Sequence, residues 1–291
     1  MTTVARPRSI SNRYRNLRTD VPRWVIGVVI SLLFLFPVAW TVLRSLQDGQ
    51  AAAIGLGAGM FDGLSGDNYS ALGDSGVSLV RYVANSAAVA LGTTALTSVV
   101  ATMAGYALAR VRFAGAGLVF VIILTPFMVP FQGILVPLFT LLNWMGLNDD
   151  LLGLVLVYTT FQLPFAVFVM RNSFAAVPKE LEEAAMIDGL STFGVLGRAL
   201  LPIVTPGIAT VALYAFIFAW NEFLAALILI TSQSKFTLPI ALVNLQSGQF
   251  GQIDFGILSA GATVATVPCL LAFLLLQRYY VSGLSAGSTK G

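Results

Sequence analysis

The sequence has 291 residues, of which 57% are hydrophobic and only 10% are charged, and its mean hydropathy is +0.86. Soluble domains contain about 25% charged residues, so this composition excludes a soluble globular protein and indicates an integral membrane protein. The sequence has no histidine and a single cysteine, Cys269, which excludes imidazole catalysis, a histidine-ligated zinc site and an intrachain disulfide bond.

Six apolar stretches are long enough to cross the membrane as helices, which takes about 20 residues for a hydrocarbon core of roughly 30 Å. They are, in chain order, Trp24–Leu43, Asn85–Ala109, Ala114–Leu142, Leu151–Met170, Ile203–Thr231 and Phe255–Gln277. The third stretch is long enough to tilt or to break, and it contains Pro126, Pro130 and Pro137. The predicted fold class is therefore all-α, an integral membrane protein with six transmembrane helices.

The basic residues between the stretches predict how the chain is oriented in the membrane. If the N-terminus is cytoplasmic, only Arg44, Arg81 and Lys235 of the 16 lysines and arginines lie outside. Because cytoplasmic loops carry the excess of basic residues, both termini are predicted to be cytoplasmic. The basic tail then faces anionic lipid headgroups, which explains the sequence pI of about 9.2 without a nucleic-acid partner.

This orientation divides the chain into segments on either side of the membrane. They are a basic cytoplasmic tail (residues 1–23), the first transmembrane helix (24–43), an extracytoplasmic loop (44–84), helices two to six (81–277) with the cytoplasmic loop 171–206, and a cytoplasmic C-terminal tail (278–291). Loop 171–206 is far longer than a turn requires, so it is the segment best suited to bind a cytoplasmic partner.

A short helix is predicted in this loop over Val177–Gly189. The proline after Val177 suits the first helical position, where a missing N–H costs nothing, and Gly189 can end the helix because it adopts positive φ. Residues spaced at i, i+3, i+4 and i+7 form one narrow face, namely Leu181, Ala184, Ala185 and Asp188. A second helix, capped by Ser191 or Thr192, is predicted to end at Pro202.

The order of residues in this loop resembles the EAA loop of ABC-importer permeases, whose pattern is E-A-A-x3-G-x9-I-x-L-P. Ala199 stands where the family usually has isoleucine. The resemblance implies that the loop binds a cleft of an ATP-hydrolysing subunit and transmits its closure to the membrane helices. The residues implied in this coupling are Glu183, Ala184, Ala185, Asp188, Gly189, Leu201 and Pro202.

Further motifs are similar to the carbohydrate branch of these permeases, namely GYALAR at residues 105–110, PFMVP at 126–130, WNEF at 220–223 and GLSAG at 283–287. The sequence therefore resembles the shorter, maltose-type permease subunit of bacterial carbohydrate ABC importers. This resemblance implies a type I ABC-importer permease architecture in the bacterial cytoplasmic (inner) membrane. It also implies an ABC transporter transmembrane type-1 domain over residues 81–277.

The resemblance implies the partners and the function as well. The partners are a second homologous permease subunit, two ATP-binding cassette subunits, an extracytoplasmic sugar-binding protein or lipoprotein, and membrane lipid. The sequence has no GxxxxGK[ST] phosphate-binding motif, so ATP and Mg²⁺ are expected on the partner ATPase. No cofactor, metal site or enzymatic activity is expected in this chain. The predicted function is ATP-driven import of a di- or oligosaccharide or a related polyol.

Glu222 is the only ionisable residue within the six stretches, and it lies toward the middle of the fifth. A charged side chain at a helix centre costs roughly 2.5–3.5 kcal/mol, so Glu222 is expected to face a cavity or a partner, or to be protonated. Glu222 and Asn221 either lie near the sugar path or hydrogen-bond to the partner permease, and both interpretations stay open. Further candidates for the path, each with helix packing as the alternative, are Gln132, Gln162 and Phe161.

An ion-coupled secondary transporter is the alternative function. Such a transporter would need paired intramembrane carboxylates or a discontinuous helix near the midplane, and Glu222 is the only acid available in the six stretches. An intramembrane enzyme is disfavoured as well, because no catalytic dyad can be assembled without histidine and with one cysteine.

The asymmetry of basic residues predicts which positions a membrane-impermeant thiol reagent can reach. In a Cys269→Ser background, Asp67→Cys should react in intact cells, because Asp67 lies in the predicted outside loop. Lys179→Cys should react only after the membrane is opened. A gel-shift labelling assay measures both reactions, and external labelling of Lys179→Cys would invert the predicted orientation.

Overall fold

The computed structural model describes residues 11–47, 61, 63–74, 79–246 and 254–288. The regular structure of these residues is helical, apart from one isolated antiparallel bridge between Gln47 and Leu64. The α-helices are α1 (Ser11–Ser45), α2 (Asp67–Asp74), α3 (Leu79–Arg110), α4 (Ala116–Leu124), α5 (Leu135–Trp144), α6 (Leu151–Ala175), α7 (Lys179–Ile187), α8 (Leu201–Asn221), α9 (Leu224–Leu229), α10 (Leu238–Gln246) and α11 (Phe255–Ser288). The predicted all-α class is confirmed.

The described helices include enough long apolar segments for six membrane crossings. Five single segments qualify, namely Val21–Ser45, Leu79–Arg110, Leu151–Ala175, Thr192–Asn221 and Phe255–Gln277. A sixth crossing results if two segments, Ala116–Met128 and Phe131–Trp144, which meet at an angle of 95°, are counted together as one broken span. The six predicted apolar stretches therefore correspond to five helices and one broken pair.

The third stretch breaks between its two halves at Val129 and Pro130. Both residues have extended backbone, with ψ near 122° and 126°. The ring of a proline disfavours helical backbone at the residue before it and leaves the proline itself without an N–H. Pro130 therefore accounts for the break, whereas Pro137 lies in the first turn of α5, where proline is tolerated.

The fifth stretch differs from the prediction at both of its ends. The helix does not stop at Pro202, because a π-helical segment (Val195–Leu200) leads directly into α8. Pro202 lies in the first turn of α8, where a missing N–H is tolerated. At the other end, α8 stops at Asn221, and Glu222 has extended backbone (φ −68°, ψ 128°). The prediction that Glu222 lies within a continuous helix is therefore wrong.

The chain forms two compact units, of which the first contains residues 1–70 and 254–263. Its described polar contacts include a buried side-chain amide, Asn68, which donates hydrogen bonds to the carbonyls of Ser45 (2.9 Å) and Gln47 (2.7 Å). The last carbonyls of a helix have no partner within it. Asn68 therefore provides hydrogen-bond donors for backbone carbonyls at the end of α1.

The second unit contains residues 71–253 and 264–291, and α3, α6 and α8 pack together in it. A Cβ atom on Gly105 of α3 would lie 2.6 Å from the Cβ of Met170 in α6, and one on Gly207 of α8 would lie 2.3 Å from the Oγ of Ser173. Both distances are shorter than real atoms allow. Glycine therefore permits the close approach of these helices, as small residues commonly do in membranes.

Asp149 joins two loops of the second unit, the one before α6 and the one after α9. Its carboxylate accepts hydrogen bonds from the backbone N–H groups of Thr231 and Ser232 (both 2.9 Å) and from the Ser232 hydroxyl. The ammonium group of Lys235 donates to the Asp149 carbonyl. These hydrogen bonds, led by the Ser232 hydroxyl, lower the pKa of Asp149 from its usual 3.8 to about 2. Asp149 also has a positive φ of 54°.

Replacing the charge of Asp149 should destabilise the folded protein at neutral pH. We expect Asp149→Asn to cost about 1–2 kcal/mol, because hydrogen bonds to a charged acceptor are stronger than those to a neutral one. Asparagine tolerates positive φ, so backbone strain does not contribute. The measurement is the melting temperature of the purified protein in detergent.

The pH dependence of this difference follows from the lowered pKa. A carboxyl group with a depressed pKa stabilises the fold above its ordinary pKa of 3.8, and this contribution is lost as the pH falls toward about 2. The gap between wild type and Asp149→Asn should therefore shrink below about pH 4. The control is Asp150→Asn, since asparagine can keep the bond that Asp150 accepts from the Leu152 N–H. Equal melting temperatures of Asp149→Asn and wild type at pH 7 would contradict the expectation.

Candidate functional site

The helix that carries the EAA motif is α7, and its C-terminal end has a regular cap. Pro178 was predicted to be the first residue of this helix. It has extended backbone (ψ 139°) and instead precedes the helix. At the other end Gly189 has a φ of 88°. Its N–H donates to the Met186 carbonyl (3.0 Å), and the N–H of Leu190 donates to the Ala185 carbonyl (3.1 Å). These two bonds form a Schellman motif, so the predicted helix end at Gly189 is confirmed.

The cap of the following helical turn is also resolved by the structure. The Ser191 hydroxyl accepts a hydrogen bond from the Gly194 N–H (3.3 Å), and the helical turn begins at Thr192. Ser191 is therefore the capping residue of the two candidates. Leu201 packs against the same apolar cluster as Ala185 of α7, whereas Pro202 is exposed.

The predicted narrow face of α7 is mostly open in the structure. Of the four residues predicted to share a face, only Ala185 is buried, and the other three, Leu181, Ala184 and Asp188, are exposed. Glu182, three residues before Ala185 and thus on the same side of the helix, is mostly buried. Glu183 is exposed. Three members of the predicted coupling set on α7, Glu183, Ala184 and Asp188, are therefore open to a partner.

The inward side of α7 is held by an acid that the sequence motif does not single out. Glu182 receives a hydrogen bond from the Tyr106 hydroxyl (3.3 Å) and lies 3.4 Å from the Nε of Arg110. Arg110 also donates to the Val177 carbonyl just before α7 (2.6 Å). The sequence contained only one indication of this contact site. Tyr106 and Arg110 are four residues apart, which puts both on one face of a helix.

Glu222 lies at the break between α8 and α9, where it meets three donors of the same chain. Its carboxylate accepts the Tyr158 hydroxyl (2.6 Å) and the backbone N–H groups of Ala225 (3.0 Å) and Ala226 (3.2 Å). Tyr158 is fully buried in α6. The carboxylate thus accepts hydrogen bonds from two N–H groups in the first turn of α9. Its negative charge also interacts favourably with the positive, N-terminal end of this helix.

The other candidates for the sugar path lie in two places. Asn221 is exposed and donates to the Ile217 carbonyl (2.8 Å). Gln132 is exposed in the 3₁₀ turn after Pro130, and Gln162 is buried in α6. The Phe161 ring contacts Phe131, with centroids 4.2 Å apart. Phe161 and Gln132 are therefore brought to the same bend, because Phe131 is the neighbour of Gln132.

Comparison with known proteins identifies the family. Residues 98–285 match the family described as binding-protein-dependent transport system inner membrane component. The arabinooligosaccharides permease protein AraQ of Bacillus subtilis is 34% identical over 91% of this chain and 93% of its own length. The trehalose permease protein SugB of Mycobacterium tuberculosis is 34% identical, over 92% and 96%. The trehalose/maltose permease protein MalG of Thermococcus litoralis is 32% identical, over 92% and 96%.

The fold also matches that of a solved transporter. The crystal structure of a bacterial ABC transporter involved in the import of the acidic polysaccharide alginate superposes with a TM-score of 0.76 at 20% identity, covering 95% of this chain and all of the other. Fold and motif thus define a multi-pass permease subunit of an ABC importer. The chain belongs to the family of inner membrane components of binding-protein-dependent transport systems. The chain was predicted to resemble the permease subunits of carbohydrate ABC importers and to lie in the bacterial inner membrane. Both predictions are confirmed.

The bond between Tyr158 and Glu222 should contribute to stability. Tyr158→Phe should cost about 1–2 kcal/mol, because it removes one donor from a carboxylate. Glu222→Gln should weaken the same bond, so the double variant should lose less than the two single losses added together. The measurement is thermal unfolding in detergent. Tyr214→Phe is the matched control, since Tyr214 is 46% exposed, and fully additive losses would contradict a shared bond.

Proposed function

We propose that this chain forms, with a second homologous permease, the membrane pathway of an ATP-driven importer for a di- or oligosaccharide or a related polyol. The relatives support this substrate class, since their names refer to arabinooligosaccharides, trehalose and maltose. An extracytoplasmic sugar-binding protein delivers the solute, in keeping with the family. Both termini of the chain and loop 171–206 are cytoplasmic in this proposal.

The EAA helix α7 is the element that couples the chain to separate ATPase subunits. The observation that carries this proposal is an exposed apolar surface on the cytoplasmic loop. Its members are Leu181, Met186, Ile187 and Phe193, of which Ile187 is 85% and Phe193 81% exposed. Large apolar side chains on a water-facing loop are typical of a protein-binding surface. Glu183 and Ala184 lie on the same exposed part of α7.

ATP and Mg²⁺ are held by the ATPase in this proposal, and the permease chain carries out no chemistry. Sequence features support this division, because the chain lacks a phosphate-binding loop. Among the described residues, no group of three histidine, cysteine, aspartate or glutamate side chains is placed to hold a metal.

The bend between α4 and α5 is the proposed contribution of this chain to the sugar path. Gln132 offers an exposed amide there, and Phe131 and Phe161 present aromatic rings beside it. Amides bind sugar hydroxyls and rings stack on the apolar faces of sugars, so this set suits a saccharide. Asn221 remains a second candidate, whereas the contacts of Glu222 favour a role in holding the helix break.

Straining the end of α7 should uncouple the transporter. Gly189→Val forces a β-branched residue into a φ of 88°, which costs about 1–3 kcal/mol and displaces the helix. We expect membrane levels near those of wild type, weaker co-purification of the ATPase, and sugar-stimulated ATP hydrolysis and uptake lowered by about tenfold or more. The assay uses the assembled complex with its binding protein in reconstituted vesicles.

Gly197→Val is the matched control for this experiment. Gly197 lies in the same loop, is exposed, and has open space around the position of a Cβ without positive φ. It should therefore retain coupling. Glu183→Lys should act in the same direction as Gly189→Val, because it reverses the charge on the exposed part of α7 and opposes the helix dipole. Full sugar-stimulated turnover with Gly189→Val and Glu183→Lys combined would refute the assignment of α7.

A binding assay tests the substrate class separately. The cognate extracytoplasmic protein should bind di- or oligosaccharides or polyols from a panel that also contains amino acids and peptides. Exclusive binding of a peptide or an amino acid would overturn the proposed substrate class but leave the assignment as a permease intact.

A further inference from the structure

Helix α3 is attached to the loop after α9 by polar side chains near its N-terminal end. The Asn85 amide donates to the carbonyls of Ser234 (3.0 Å) and Phe236 (2.9 Å). The buried Ser86 hydroxyl accepts the backbone N–H of Leu238 (2.8 Å). We call this set of three bonds the outer clamp. It fixes α3 to a segment that lies outside the membrane in the predicted orientation.

The opposite end of α3 is attached to the EAA helix α7. Arg110 is the last residue of α3, and its side chain is only 5% exposed beside Glu182, which is 14% exposed. Arg110 also bonds to the Val177 carbonyl, and Tyr106, one turn earlier, donates to Glu182. We call this set of contacts the inner clamp. Its groups lie between the helices, where charges are screened less than at the surface.

The body of α3 is suited to join the two clamps mechanically. Its 32 residues span about 48 Å at 1.5 Å each. Among the described membrane-crossing segments α3 alone contains no proline, while each of the others contains at least one. Proline removes a helical hydrogen bond and bends the axis, so α3 lacks this cause of bending.

We infer that α3 is the rigid link that connects the ATPase-facing EAA helix with the extracytoplasmic segment 234–238, and that Glu182 and Asn85 are the positioning residues at its two ends. This inference rests on the proposed function of α7. A displacement of α7 moves Glu182 and pulls Arg110, and α3 carries the displacement to the outer clamp. By reciprocity of coupling, an event at segment 234–238 reaches α7 along the same helix.

The two adjacent acids of α7 consequently have different tasks. Glu182 points inward and ties α7 to α3, whereas Glu183 is exposed and belongs to the surface proposed to bind the ATPase. Loss of Glu182 should therefore impair transmission without removing the ATPase-binding surface. This difference separates the link from the docking surface in an experiment.

The test measures sugar-stimulated and basal ATP hydrolysis, together with uptake, for the complete complex in reconstituted vesicles. The variants are Glu182→Gln at the inner clamp, Asn85→Ala at the outer clamp, and the two combined. We expect each single variant to keep the ATPase bound and the basal hydrolysis active, while sugar stimulation falls about threefold to thirtyfold. The double variant should be no worse than the more severe single variant, because a link released at one end transmits nothing.

Two controls make comparable side-chain changes away from the clamps. Glu180→Gln neutralises an exposed acid of α7, and Thr94→Ala truncates a side chain of α3 whose hydroxyl bonds only within the helix in the described contacts. Both should keep the stimulation of wild type. If Glu182→Gln fails to accumulate in the membrane, Tyr106→Phe replaces it. This variant removes only the hydroxyl that donates to Glu182, and it should also lower the sugar stimulation.

The outcomes separate this inference from the proposed function. Stimulation at the level of wild type in either single variant, or losses that multiply in the double variant, would overturn α3 as the link. Loss of ATPase binding in Glu182→Gln would place Glu182 at the docking surface and overturn its positioning role. A wild-type complex that binds no ATPase, or whose uptake is independent of ATP, would instead refute the proposed function itself.

Discussion

Backbone N–H and C=O groups within a membrane must find partners inside the protein, because lipid offers none. This constraint accounts for both interruptions in the described spans. At Val129 and Pro130, the Val129 N–H bonds to the Pro126 carbonyl (3.1 Å), and Pro130 has no N–H to leave open. At Glu222, the N–H groups freed at the start of α9 bond to the Glu222 carboxylate. The acid in this apolar stretch thus supplies a strong acceptor where the helix is interrupted.

The membrane spans were predictable because hydrophobic length can be measured along the sequence alone. The break at Pro130 could be anticipated as well, since proline acts on its immediate neighbours. The end of α8 at Asn221 was not anticipated. Two partners of the Glu222 carboxylate, the N–H groups of Ala225 and Ala226, are local, whereas the third, Tyr158, lies 64 positions earlier in the chain. The π-helical passage into Pro202 was missed as well. The predicted stop at Pro202 did not allow for a π-helical segment that ends just before the proline and leaves it in the first turn of α8.

The same distinction between local and distant causes applies to loop 171–206. The end of α7 at Gly189 and the cap at Ser191 follow from bonds between residues at most five positions apart, so they were predictable. The side of α7 that packs inward was not predicted. It is set by Tyr106 of α3, which lies 76 positions before Glu182. The EAA motif consists of residues expected to contact another subunit. It therefore does not show which residues of the same chain hold the helix in place.

The use of a charged pair at the junction of α3 and α7 has a physical rationale. A buried ion pair gives little net stability compared with apolar residues of similar volume, because both charges must be desolvated. Hydrogen bonds are, however, directional, whereas apolar contacts permit sliding and rotation. Arg110 also bonds to the Val177 carbonyl, so the guanidinium holds both Glu182 and the chain before α7. In the proposed role of α3 as a link, a defined orientation matters more than additional stability, and the hydrogen bonds of the polar junction favour one orientation.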